Sequence, residues 1–224
     1  MTTTLLDAVE IDPPGKPRAS ILWLHGLGAD GHDFEPLIPQ LDIVERLGVR
    51  VVLPHAPRRP VTINAGLRMP AWYDILALDF RMREDAAGIR ASQQQLEALI
   101  VRELDAGIPA GRVVLAGFSQ GGAIALHTGL RYPKPLAGIL ALSTYLPLRD
   151  TLAREAATAN RATPILMLHG TLDPVVPLPL AQSSRDALVQ QGYAVDWLTW
   201  PMAHALCAEE VQVISTWLDR LLGG

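Results

Sequence analysis

The chain has a single cysteine, Cys207, among its 224 residues. No internal disulfide can form, so the fold stands on its apolar core, and such sparing use of cysteine fits a reducing compartment. Positive charge is in deficit. A net charge of −4 leaves no basic footprint for nucleic acid. The first residues, Met1-Thr2-Thr3-Thr4-Leu5-Leu6-Asp7, hold no basic region and no long apolar run. Neither a signal peptide nor a membrane span is expected, and the cytoplasm is the expected location. There is no internal repeat and no low-complexity tract. No His, Cys, Asp or Glu cluster has metal-ligand spacing, so no metal or cofactor is expected. What the chain does have is 49% hydrophobic and 19% charged residues. That is enough to bury the core of one large domain over residues 1–224, and too little for two.

Short apolar runs alternate with longer helical patterns. Ile21–Leu24, Val49–Leu53, Arg112–Ala116, Gly138–Leu142, Ile165–His169 and Ala194–Trp200 read as strands. Glu84–Ala106, with Ile89, Leu96, Leu99, Ile100 and Leu104 on one face, reads as a helix. So do Gly121–Leu130, Leu178–Gln191 and Glu209–Leu222, the last with Val211, Ile214, Trp217 and Leu218 on one side. Near-continuous apolar strands are buried on both faces, which predicts a mostly parallel sheet with helices on each side. Asp12-Pro13-Pro14-Gly15-Lys16-Pro17 reads as turns. The stretch from Pro54 to Phe80 carries no readable pattern, and a connection of that length is more often functional than idle.

The most informative segment is Gly117-Phe118-Ser119-Gln120-Gly121, a G-x-S-x-G sequence between a predicted strand and a predicted helix. In that context the serine sits at the tip of a sharp turn, with its hydroxyl held above the sheet beside a helix N-terminus. A serine hydroxyl needs an imidazole to take its proton and a carboxylate to orient that imidazole. In strand–helix–strand folds of this kind the chain order is serine, acid, histidine. Three histidines follow Ser119. His127 falls inside a helix and His169 ends a strand, where it suits a polar niche. His204 lies in a loop between the last strand and the last helix, where the base belongs. Asp173 is the preferred acid because it follows the penultimate strand. Asp150 is its serious rival; Asp186 and Asp196 fall inside a helix and a strand. An oxyanion requires two backbone donors. Gln120 N–H supplies one, and Leu27 N–H, in the turn Leu24-His25-Gly26-Leu27-Gly28, is the candidate for the other. His25 beside that turn reads as an orienting or packing residue, and Cys207 as a small buried apolar one.

Taken together, Leu24–Gly31, Met69–Ile75, Gly117–Gly122, His169–Val176 and Pro201–His204 resemble the carboxylesterase/acyl-protein thioesterase (phospholipase/carboxylesterase) family almost end to end, and most nearly its bacterial carboxylesterases. The resemblance implies an α/β-hydrolase fold without a lid domain and hydrolysis of carboxylic esters and thioesters without a cofactor. It assigns Ser119, Asp173 and His204 as the triad, Leu27 and Gln120 as the oxyanion donors, and Trp72 to the border of the acyl groove. Leu67, Met69, Val176 and Tyr145 are further candidates to line an acyl site. Relatives of this kind are monomers or homodimers and act on small ester or thioester substrates. The chain departs from the family in Ala203, where relatives usually have Gly, in Ala205, where they have Glu, and in Thr144, where they tend to have Gly. These departures bear on specificity and pH optimum.

The expected function is therefore a serine ester hydrolase for short-to-medium acyl groups. Two alternatives remain: a thioesterase or lysophospholipase preferring long chains, and a non-catalytic binding module on the same scaffold. The related dienelactone hydrolases use a cysteine nucleophile, and Ser119 argues against them.

Overall fold

The computed structural model describes residues 5–77 and 84–223. Its centre is a seven-stranded sheet formed by β1 (Ala8–Ile11), β2 (Ala19–Leu24), β3 (Val49–Pro54), β6 (Val113–Phe118), β7 (Gly138–Leu142), β8 (Ile165–Gly170) and β9 (Val195–Trp200). The spatial order is β1-β3-β2-β6-β7-β8-β9. Every neighbouring pair is parallel except β1 with β3, which is antiparallel, Val9 facing Leu53. The helices are α1 (Ile38–Leu41), α2 (Val44–Leu47), α3 (Ala86–Asp105), α4 (Gln120–Gly129), α5 (Leu152–Glu155), α6 (Leu178–Gln190) and α7 (Ala208–Leu222).

Alternation along the central strands divides the core between two layers. Ile21 and Trp23 of β2 pack with Val51, Val114 and Ala116 against α1, α2 and α7, where Ile214, Trp217 and Leu218 are buried. Leu22 and Leu24 point the other way, with Val52 and Leu115, onto α3 and α4. A third cluster joins Leu126 of α4, Leu152 of α5 and Leu188 of α6 to Ile139 and Met167. Central strands covered on both faces must be apolar at nearly every position, as β2 is. The edge strand β9 instead mixes half-buried and exposed residues, alternating from Val195 to Leu198.

Two parts of the architecture differ from the sequence expectation. The strand β1 is not expected from the sequence; its Ala-Val-Glu-Ile is only four residues long, half-buried except for the exposed Glu10. Within the unread stretch after Pro54 lies an antiparallel hairpin, β4 (Arg58–Val61) with β5 (Leu67–Pro70). Pro60 in β4 fits a two-stranded ribbon, where a missing N–H can face solvent. Phe80, the far end of that stretch, lies outside the described residues.

Candidate active site

The turn that carries Ser119 depends on close backbone contact. Ser119, between β6 and α4, has φ 56° and ψ −120°, a conformation costing on the order of 1–3 kcal/mol for a residue with a side chain. The surroundings hold it there. Its N–H donates to Leu142 O (2.8 Å), and its carbonyl accepts from Ala123 N–H (3.1 Å) and from the Thr144 hydroxyl (2.6 Å). A Cβ on Gly121 would lie 2.3 Å from Leu24 O and 2.5 Å from His25 O. Glycine there lets α4 start directly against the end of β2.

Asp173 and His204 come from the loops after β8 and β9, which are zipped together. Thr171 N–H donates to Trp200 O (2.7 Å) and Leu172 N–H to Met202 O (3.0 Å). A Cβ on Gly170 would meet Met202 O at 2.3 Å and Ala203 O at 2.5 Å, so the loops could not approach this closely with any other residue. The Asp173 side chain is fully buried. Its Oδ1 accepts the N–H groups of Val175 (2.8 Å) and Val176 (2.9 Å), and its Oδ2 faces His204 Nδ1 at 2.7 Å. His204 Nε2 lies 2.9 Å from Ser119 Oγ. Asp173 accepts at Nδ1, so Nδ1 carries the proton and Nε2 is left to accept from the serine hydroxyl. The imidazole also packs on Phe118, ring centroids 4.6 Å apart.

The rivals of Asp173 stand elsewhere. Asp150 has a side chain 98% exposed, and Asp186 and Asp196 lie on α6 and β9. His169 is buried, and its Nε2–H donates to Val176 O (2.9 Å), which braces the loop that presents Asp173. Burial lowers its pKa, opposed by the Val176 carbonyl and the Asp173 charge. His127 is buried in α4, 2.9 Å from Gln93 Oε1, and burial holds it down to about 3.

The turn after β2, which holds Leu27, lies against the serine: a Cβ on Gly26 would stand 3.5 Å from Ser119 Cβ. The flanking N–H groups are engaged, Gly28 with Pro70 O (2.9 Å) and Ala29 with Gly26 O (3.4 Å). Gln120 is the first residue of α4, where helix N–H groups have no intrahelical partner. His25 is buried with Nδ1 2.7 Å from Gly26 O, while its Nε2 accepts from Ala56 N–H (3.1 Å). Burial lowers its pKa, which matches an imidazole locked neutral between one acceptor and one donor.

Among the residues expected to line an acyl site, Leu67 is 65% exposed on the hairpin and Met69 is half-buried beside Gly28. Trp72, Tyr145 and Val176 are buried in one apolar cluster with Tyr73, and the Tyr73 and Tyr145 hydroxyls bond each other at 2.8 Å. Cys207 is not buried; it stands half-buried as the residue preceding α7, its N–H donating to Glu210 (3.3 Å). Sequence reasoning missed the Thr144 hydroxyl on Ser119 O, the His169 brace and the Gln120 carboxamide, which accepts Trp72 N–H (2.7 Å) and donates to Tyr73 O (2.7 Å). None carries a local signal, because each contact depends on how the folded chain brings its segments together. Among the described residues no His, Cys, Asp or Glu group could hold a metal ion, and no helix is long and apolar enough to cross a membrane.

The profile of the phospholipase/carboxylesterase family matches residues 7–222. The chain belongs to that family. Acyl-protein thioesterase 1 of Neurospora crassa is 45% identical over 213 residues, covering 91% of this chain and 87% of the relative. Among solved structures, Arabidopsis thaliana SOBER1 superposes with a TM-score of 0.86 at 33% identity, covering 92% of this chain and 99% of that one. Zea mays acyl-protein thioesterase 2 does so with a TM-score of 0.86 at 30% identity, covering 97% and 99%. The fold is that of the α/β-hydrolases, and membership makes the chain a serine hydrolase of the ester and thioester class.

Proposed function

We propose that Ser119 is the nucleophile, His204 the general base and acid, and Asp173 the residue that orients and stabilises the imidazolium. The observation that carries this reading is the pair of contacts from His204, 2.9 Å to Ser119 Oγ and 2.7 Å to Asp173 Oδ2. His204 Nε2 takes the serine proton as Oγ bonds to the ester or thioester carbonyl carbon. The carbonyl π pair moves to oxygen, and the N–H groups of Leu27 and Gln120 receive the oxyanion. Collapse breaks the bond to the alcohol or thiol, which leaves with the proton from His204. Water, deprotonated by the same imidazole, then releases the carboxylic acid and restores Ser119.

The favoured substrates are short-to-medium acyl esters, with thioesters handled by the same steps. Trp72, Tyr73, Tyr145 and Val176 are packed in one buried cluster, so they are engaged with one another. Leu67 and Met69, nearer the surface, are the residues that would touch the acyl group. A preference for long acyl chains is the second reading, favoured by the 45% identity to an acyl-protein thioesterase. In either case the protein works in the cytoplasm as a single-domain monomer or homodimer on a small ester or thioester, with no cofactor. Hydrolysis of p-nitrophenyl esters from acetyl to palmitoyl, wild type beside Ser119→Ala, separates the readings. Serine-dependent turnover peaking at short chains supports the first and a peak at long chains the second. Absence of turnover at every length refutes both.

A further inference from the structure

The two proposed oxyanion donors come from segments far apart in the chain, and a ring of hydrogen bonds ties one to the other. Gln120 gives its main-chain N–H to the site, while its side chain turns back to the segment after β5. There Oε1 accepts Trp72 N–H at 2.7 Å and Nε2 donates to Tyr73 O at 2.7 Å. The two contacts fix which end of the carboxamide is which. Trp72 then reaches across with its indole, Nε1–H donating to His25 O at 2.8 Å. The His25 ring lies 5.3 Å from the Trp72 ring and holds Gly26 O through Nδ1. That carbonyl belongs to the same peptide group as Leu27 N–H. Pinning its oxygen on one side aims the Leu27 N–H to the other, since the peptide is planar and trans. Ser92 Oγ anchors the Trp72 carbonyl from α3. Trp72 is 1% exposed, so these bonds are made away from competing water.

From this geometry we infer that Trp72 and the Gln120 side chain are positioning residues for catalysis. Together they set the separation and direction of the Leu27 and Gln120 N–H donors, and Trp72 acts through the oxyanion site rather than by touching the acyl chain. The inference rests on the proposed serine mechanism. Donors in such a site stabilise charge only where it develops, so a small displacement weakens the transition state more than the bound substrate. Losing one oxyanion donor outright costs about 100- to 1,000-fold in kcat. A misaimed donor costs less, and loss of either link should lower kcat roughly 10- to 100-fold with KM nearly unchanged.

The test uses Trp72→Phe, which keeps an aromatic ring and removes the indole N–H, Gln120→Met, which keeps the length and the main-chain N–H, and the double variant. Each is assayed on p-nitrophenyl acetate, with kcat expressed per site titrated to completion by a fluorophosphonate. That normalisation separates misfolded protein from slow enzyme, so even an unstable variant yields a usable kcat. The expected result is a fall in kcat per titrated site, an equal fall in affinity for a trifluoromethyl ketone analogue, an unchanged pH profile, and a double variant no worse than about 3-fold below the poorer single one, because both links belong to one ring. Wild-type kcat per titrated site in either single variant, or losses that multiply in the double one, would overturn the inference. Ser119→Ala run alongside distinguishes the two levels. If it retained turnover, the mechanism itself would fail. If it were inactive while Trp72→Phe and Gln120→Met matched wild type, only the positioning role would fail.

Discussion

Replacing Asp173 by Asn keeps the shape of the side chain and should nearly abolish turnover. The structure shows why. Oδ1 of Asp173 accepts two backbone N–H groups, from Val175 and Val176, at 2.8 and 2.9 Å, and Oδ2 faces His204 Nδ1 at 2.7 Å. An asparagine has one acceptor oxygen and one NH2 group. With its oxygen on the two N–H donors, its NH2 faces His204 Nδ1. That forces the imidazole into the tautomer with its proton on Nε2, which then donates to Ser119 Oγ and cannot take its proton. Flipping the amide to restore the right tautomer leaves the buried Val176 N–H and the part-buried Val175 N–H facing an NH2. At about 1–3 kcal/mol for each unsatisfied group, the flip costs about 4 kcal/mol and leaves roughly one molecule in a thousand competent. Either route gives a loss of about 10³- to 10⁴-fold in kcat, comparable to reversal of the tautomer in serine proteases. The assay is p-nitrophenyl acetate hydrolysis per folded protein, with thermal unfolding as the control. A folded Asp173→Asn enzyme within about 10-fold of wild type would refute the reasoning.

Buried groups near the same loops give two further predictions. Gly170→Ala places a methyl against Met202 O and Ala203 O at 2.3 and 2.5 Å, so it should push the two loops apart, lower the melting temperature and cut kcat at least about 10-fold; normal kinetics and stability would show that the loops are not held by this contact. Burial pushes the Glu210 carboxyl up to about 7 from its ordinary 4.5, against the opposing Cys207 N–H. The folded state therefore keeps a proton that the unfolded chain loses, and this contribution to stability is full below pH 4.5 and is lost as pH rises through 7. Glu210→Gln removes it, so the variant should gain on wild type by up to about 3 kcal/mol as pH rises from about 4.5 to 7 and level off above, as read by urea unfolding; a difference independent of pH would contradict the assignment.

The chain's layout was legible where chemistry and periodicity agree. The strand at Gly138–Leu142 lies where its apolar run ends, and the helices α3, α4, α6 and α7 start and stop within about two residues of the expected limits. That Ser119, Asp173 and His204 sit in loops at one edge of the sheet could be read from chain order, because each follows a parallel strand. Short elements at the margin were not legible. The strand β1 and both strands of the β4–β5 hairpin are four residues long, too short to show a periodic pattern, and Pro60 argues locally against a strand. Tertiary partners were equally silent. The resemblance places Trp72 at the border of the acyl groove, and only the fold shows its indole bonded to His25 O. The Ala203 and Ala205 departures sit in a tight turn, Ala205 N–H donating to Ala203 O at 3.0 Å, and Thr144 adds a hydroxyl bond to Ser119 O that a glycine would not make.

Covalent labelling decides whether Ser119 is the nucleophile. The protein is treated with a fluorophosphonate, its intact mass is measured, and the modified peptide is sequenced by mass spectrometry. The expected result is one adduct per chain, on Ser119, with loss of esterase activity in step with labelling and no adduct on Ser119→Ala. An adduct on another residue, or an unlabelled Ser119 in an enzyme that still turns over, would contradict it.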